Sequence, residues 1–190
     1  MLYILTGDVQ TGKSRWLEKH VKKLAADHVN CYGVISAGVW VESDSTRANT
    51  QGFEKRGIEC ILLPNLERFE FAKRTDISKK EGTFDERSQA GKAGLGWHIS
   101  DEAIAQVNAH FHNIAEKAQR GMIRGVLVVD ELGRLELDRG EGLVEAVRLL
   151  EEGASGSFSN ALVVARSELA MRVADRFADA WGGAQIILPE

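Results

Sequence analysis

A chain of 190 residues, 44% hydrophobic and 27% charged, has the make-up of an ordinary globular protein and the length of one domain, 1–190. A net charge of −4 and a pI near 5.8 argue against a general nucleic-acid-binding surface, which would carry a basic face. No stretch is long enough to span a bilayer, and the N-terminus runs into an apolar segment without a basic leader. The expectation is a cytoplasmic protein with no membrane association.

Leu2-Tyr3-Ile4-Leu5 is a continuous apolar run, as in a parallel strand covered on both faces. Gly7-Asp8-Val9-Gln10-Thr11-Gly12-Lys13-Ser14 follows, and a helical pattern runs from Ser14 to about His28. Trp16, Leu17, His20, Val21 and Leu24 recur there at three- and four-residue steps, which suits packing. Strand, glycine-bounded loop, Lys-Ser and helix in this order predict a phosphate-binding loop. Glycine permits the sharp exit at Gly7 and a close backbone approach at Gly12. Successive N–H groups and the positive end of the helix dipole can then face an anion. Lys13 is placed to reach the β- and γ-phosphates, and the Ser14 hydroxyl to ligate Mg²⁺. The expected nucleotide-contacting set is Gly7, Asp8, Val9, Gln10, Thr11, Gly12, Lys13, Ser14 and Arg15.

Cys31 to Ala37 reads as a second strand. Beyond Gly38 come short β-like pieces at Val39-Trp40-Val41, Gly52-Phe53-Glu54, Cys60 to Leu63 and Phe69 to Ala72. Polar turns are expected at Glu42 to Gln51, Lys55 to Gly57 and Pro64-Asn65. The expectation is a β-hairpin insertion over about 39–98. Trp40 and Phe53 suit packing between hairpin and sheet, with a platform for a nucleotide base as the other reading. Cys31 and Cys60 lack metal-ligand spacing and read as buried thiols. Arg74 to His98, rich in Gly, Lys and Ser, reads as a long mobile surface segment with a possible lid role. Its Gly91 to Gly96 piece has no strand before it and fails the context of a phosphate cradle. Ser100 caps an expected helix to about Arg120. His98, His110 and His112 form no metal-ligand pattern.

Val126-Leu127-Val128-Val129-Asp130-Glu131 is a buried strand with two acids at its carboxyl end, where open α/β sheets bind ligands. Asp130 is placed to hold Mg²⁺ through water, opposite Ser14, and Glu131 to turn toward an attacking water. A helix over Glu141 to Glu152, a strand at Ala161 to Ala165, a helix over Glu168 to Ala180 and a strand at Ala184 to Leu188 complete the chain. Alternating apolar strands and helices predict an α/β three-layer sandwich, its mostly parallel sheet carrying helices on both faces.

Asp130 followed at once by Glu131 resembles the ATPase group of P-loop proteins, where the second acid polarises water. That resemblance implies a RecA/ATPase-like strand order, with the Ala161 strand between those ending at Leu5 and Asp130. Arg166 would then lie near the γ-phosphate as a third catalytic group beside Glu131 and Lys13. Asp130-Glu131-Leu132-Gly133 also fits the Asp-x-x-Gly pattern of GTPases, but no Asn-Lys-x-Asp element accompanies it, and no Leu-Ser-Gly-Gly-Gln signature points to a transport cassette.

The Gly7 to Ser14 loop, Gly52-Phe53, the Gly94 to His98 region and Val129-Asp130-Glu131-Leu132-Gly133-Arg134-Leu135-Glu136-Leu137 together resemble the small P-loop nucleoside-triphosphatases first described from thermophiles. The last segment reproduces the family's Asp-Glu-x-Gly-x-x-Glu run through Glu136. The chain departs from the family at Arg15, where a second Thr is usual, and at Thr50-Gln51, where an Arg precedes Gly-Phe. The resemblance implies slow Mg²⁺-dependent hydrolysis of ATP and other nucleoside triphosphates with little base discrimination. Alternatives are a P-loop kinase for a nucleoside or small molecule, with Arg74 and Arg87 flanking its lid, and a nucleotide-gated switch or assembly factor. No protein partner is indicated.

Overall fold

The computed structural model describes residues 1–8 and 11–189. Eight strands, β1 (Leu2–Leu5), β2 (Cys31–Glu42), β3 (Phe53–Leu63), β4 (Glu67–Arg74), β5 (Trp97–Ile99), β6 (Gly125–Leu132), β7 (Phe158–Ala165) and β8 (Ala184–Ile187), form one sheet. Their order is β5-β4-β3-β2-β6-β7-β1-β8. The β8, β1, β7, β6 and β2 strands pair in parallel, whereas β3, β4 and β5 continue the sheet antiparallel beyond β2. As the resemblance to P-loop ATPases implies, β7 lies between β1 and β6.

The parallel strands are apolar on both sides because both sides are covered. Leu2, Ile4, Leu127, Val129, Ala161 and Val163 face the helices α4 (Asp101–Gln119), α5 (Val144–Glu152) and α6 (Ser167–Phe177). Leu5, Val128, Leu162 and Val164 face the other way, toward Leu17 and Val21 of α1 (Lys13–Ala26). Strand side chains alternate between faces, so neighbouring positions in β6 and β7 feed opposite layers. The result is the expected arrangement of a sheet with helices on both faces. Ser100 does cap α4: its hydroxyl accepts the Ala103 N–H at 3.0 Å.

The segment expected as an insertion differs in detail. Val39-Trp40-Val41 continues β2 without a break, and Lys55 to Gly57 lies inside β3 rather than in a turn. The two strands form a long antiparallel ribbon with a register shift at Val39/Trp40. Only Cys31 to Val34 of β2 pairs with β6, so the rest of the ribbon projects past the carboxyl edge of the parallel strands. Arg74 to His98 is not one long surface loop. It folds as α2 (Thr75–Glu81), α3 (Gln89–Lys92) and the start of β5. Ser88 caps α3, and the Asp101 carboxylate accepts the Gln89 N–H at 3.0 Å. A side chain at Gly91, inside α3, would collide first with the Asp85 carbonyl and then with that of Glu86.

Candidate functional site

Leu5 of β1 and Asp130 of β6 are both register partners of Val164. The two strand tips therefore stand level on one edge of the sheet, separated by β7. Two strand spacings set them about 10 Å apart. The loop that leaves β1 and the acids that end β6 thus open onto the same edge, at the carboxyl ends of the parallel strands.

Gly7 and Gly12 bracket the loop with φ of 145° and 88°. At 12 a side chain would be strained, and the left-handed residue sits just before α1, where its carbonyl accepts the Trp16 N–H at 2.9 Å. Lys13 folds back across the loop: its ammonium donates to the carbonyls of Gly7 at 2.6 Å and Asp8 at 2.7 Å. Thr11 donates its hydroxyl to the Asp8 carbonyl, and Ser167 donates to the Asp8 carboxylate at 3.1 Å. Ser14 is half-buried in the first turn of α1, and Arg15 beside it is exposed. Val9 and Gln10 of the expected contact set lie outside the described residues.

Asp130 is only 2% exposed. Ser36 of β2 holds it twice: the Ser36 N–H donates to the carboxylate at 2.8 Å, and the hydroxyl donates to the Asp130 carbonyl at 2.5 Å. Burial pushes the carboxyl up to about 7, the Ser36 N–H opposes that shift, and the neighbouring Glu131 charge adds to it. Glu131 is more open and pairs with Arg166, Nε to Oε1, at 3.2 Å. Arg166 stands just before α6, one residue from the Ser167 that reaches Asp8. The sequence-predicted groups Lys13, Asp130, Glu131 and Arg166 are thus brought to one edge.

Oxygen donors at Ser14 and Asp130 suit a hard divalent cation. Among the described residues no group of three or more His, Cys, Asp or Glu side chains can hold a metal by itself. One carboxylate plus one hydroxyl matches Mg²⁺, which keeps waters and takes phosphate oxygens in place of a full protein cage.

Arg74 is committed elsewhere, donating to Asp76 at 2.5 Å and to the buried Glu54, while Arg87 pairs with its neighbour Asp85. Trp16 and His20 stack on each other with ring centroids 4.6 Å apart. Cys31 and Cys60 are buried free thiols, and burial pushes them up to about 11 and about 12. Two residues that act on the acids carry no sequence signal: Ser36, whose tie to Asp130 spans 94 positions, and Lys55 of β3, whose charge is felt by Glu131 and Asp130. A serine in a strand has no local signature, and Ser36 meets Asp130 only through the folding of β2 beside β6.

No protein-family model matches the chain, and no curated protein matches it. Its structure is similar to the solution structure of a human cancer-related nucleoside triphosphatase. The TM-score is 0.59 at 17% identity, covering 98% of this chain and 87% of that one. At that identity the similarity is one of fold: the mixed α/β sheet with its surrounding helices is shared across nearly the whole chain.

Proposed function

We propose that this chain is a Mg²⁺-dependent nucleoside-triphosphatase, a phosphohydrolase that cleaves the β–γ bond of ATP and other nucleoside triphosphates. One observation carries the reading: the Gly7 to Ser14 loop and the Asp130-Glu131 pair rise from level strand tips on one sheet edge, with β7 between them. A triphosphate fits such a gap with its β-phosphate on the loop and its γ-phosphate between the loop and the acids. The name of the structural neighbour, a nucleoside triphosphatase, agrees with this assignment.

In this reading the loop amides and Lys13 hold the phosphates, and Lys13 exchanges its two loop carbonyls for phosphate oxygens. Such charge-assisted contacts are stronger than those to neutral carbonyls. Ser14 and Asp130 are the residues that would hold Mg²⁺, which when bound offsets the negative charge of the β- and γ-oxygens. Glu131 orients a water for in-line attack and takes its proton. The new bond runs from the water oxygen to the γ-phosphorus, the bond to the β–γ bridging oxygen breaks, and the products are a nucleoside diphosphate and phosphate. Arg166, next to Glu131, faces the charge that develops on the γ-oxygens.

A Mg²⁺-nucleotide titration tests the binding half. The native protein binds Mg-ATP, and Lys13→Ala weakens it by at least about tenfold, the loss of one charged phosphate contact. Equal affinities for the two proteins would remove the loop from the site.

A further inference from the structure

Lys55 occupies an unusual place for a lysine in a β-ribbon. It pairs with Trp40 across the β2–β3 ribbon, immediately beyond the register shift at Val39/Trp40. Its stem and the Trp40 indole converge on Gly38, two residues past the Ser36 that grips Asp130. A Cβ at 38 would lie 2.6 Å from Trp40 Nε1 and 2.9 Å from Lys55 Cε. On the far side, the Lys55 ammonium lies 5.2 Å from the centre of the Trp97 ring, a cation–π contact that pins the head group. Its stem is thus laid over Gly38, and the half-buried side chain ends against the Trp97 ring.

The charges that act on Lys55 are those of the candidate site. Burial lowers it, Glu131 and Asp130 raise it, and Arg166 and Lys13 lower it. Among the described residues no carboxylate forms a salt bridge with its ammonium. A cation held off water, near two acids yet paired with neither, is placed for an anion that arrives with its own charge.

We propose that Lys55 is a terminal-phosphate sensor: a second cation, supplied by the overhanging ribbon, that contacts the γ-phosphate and makes the site prefer triphosphates to diphosphates. This deepens the proposed nucleotide site and rests on it. Lys13 approaches from the loop side and contacts both the β- and the γ-phosphate. Lys55 approaches from the opposite wall, so a diphosphate bound in the same loop leaves it without a partner. Gly38 is the residue that lets the lysine stem cross the ribbon.

The test compares binding of Mg²⁺ with β,γ-imido-ATP and with ADP to the full chain by titration calorimetry. Three variants are compared with the native protein: Lys55→Met, Lys55→Arg and Gly38→Ala. Thermal melts report whether each stays folded. Lys55→Met is expected to weaken the triphosphate analogue about tenfold, the value of one charge-assisted phosphate contact, while ADP affinity stays within about twofold. Lys55→Arg should recover most of the loss, and Gly38→Ala should reproduce it by displacing the stem. Equal loss for both nucleotides, or none for either, overturns the sensor role while leaving the nucleotide site intact. If the native protein binds neither nucleotide, the site itself fails and Lys55 falls with it.

Discussion

The Nε of Arg166 lies 3.2 Å from Oε1 of Glu131, so the cation that opens α6 and the acid that ends β6 form one ion pair across the candidate site. Both side chains are well exposed, and pairs of that kind contribute about 0–1 kcal/mol. Glu131 is therefore easily released from Arg166 to face a water. Arg166→Ala should leave the melting temperature nearly unchanged and slow phosphate release by about 10²-fold, as when one charge-stabilising donor is lost. A clear drop in melting temperature with turnover intact would make the pair structural.

Glu136 holds the turn that follows the acidic strand. It is 6% exposed, and burial raises it above the ordinary carboxyl range. Its carboxylate accepts the Gly133 N–H at 2.9 Å and the Leu143 N–H at 3.0 Å, and a side chain at 142 would collide with it. Glu136→Ala strips both amides of their acceptor, at about 1–3 kcal/mol for each group left unsatisfied. Urea unfolding should show a loss of about 2–6 kcal/mol for the two amides together, and a smaller one for Glu136→Gln, which keeps a carbonyl acceptor. A loss for Glu136→Ala below about 0.5 kcal/mol, the level of an ordinary surface change, would mean that the amides find other partners.

His110 gives the fold a pH dependence of known sign. Its Nε2 lies 3.1 Å from the carbonyls of both Gly33 and Leu63, so it bridges β2 and β3 from α4 as a donor. Burial is the largest influence and lowers it below its ordinary 6.5, with the two carbonyls opposing. The unfolded chain takes up this proton near 6.5 and the folded chain only at lower pH. Below 6.5 the unfolded state binds more protons. This contribution to stability is therefore complete above 6.5 and is lost as pH falls through the folded value. Stability measured between pH 8 and pH 5 should decline on the acid side for the native protein and decline less for His110→Gln. Parallel profiles would assign the acid limb to other groups.

How much of this was legible in the sequence depends on how local each signal is. The strands β1, β6 and β7 announce themselves as apolar runs because burial on both faces removes any reason to alternate. The loop at Gly7 to Ser14 and the acids at 130 and 131 are likewise read from contiguous residues. The ribbon leaves a weaker local signal. Lys55 and Arg56 interrupt the apolar pattern and imitate a turn, and register shifts at Val39/Trp40 and Ile58/Glu59 break the two-residue period. Helices α2 and α3 span seven and four residues, too short to leave a helical period, and depend on partners such as Asp101 that lie further along the chain. Ser36 and Lys55 gain their positions only when β2 is laid beside β6, a relationship between distant segments.

In the proposed function this edge hydrolyses a nucleoside triphosphate with Glu131 turning the water. Phosphate release from ATP, GTP, CTP and UTP, measured with and without Mg²⁺ and with no acceptor added, tests it most directly beside Glu131→Gln. The native protein should release phosphate in a Mg²⁺-dependent way, and Glu131→Gln should still bind nucleotide but turn over about 10²–10⁴-fold more slowly. No release from any of the four nucleotides, or equal rates for native protein and variant, would contradict it.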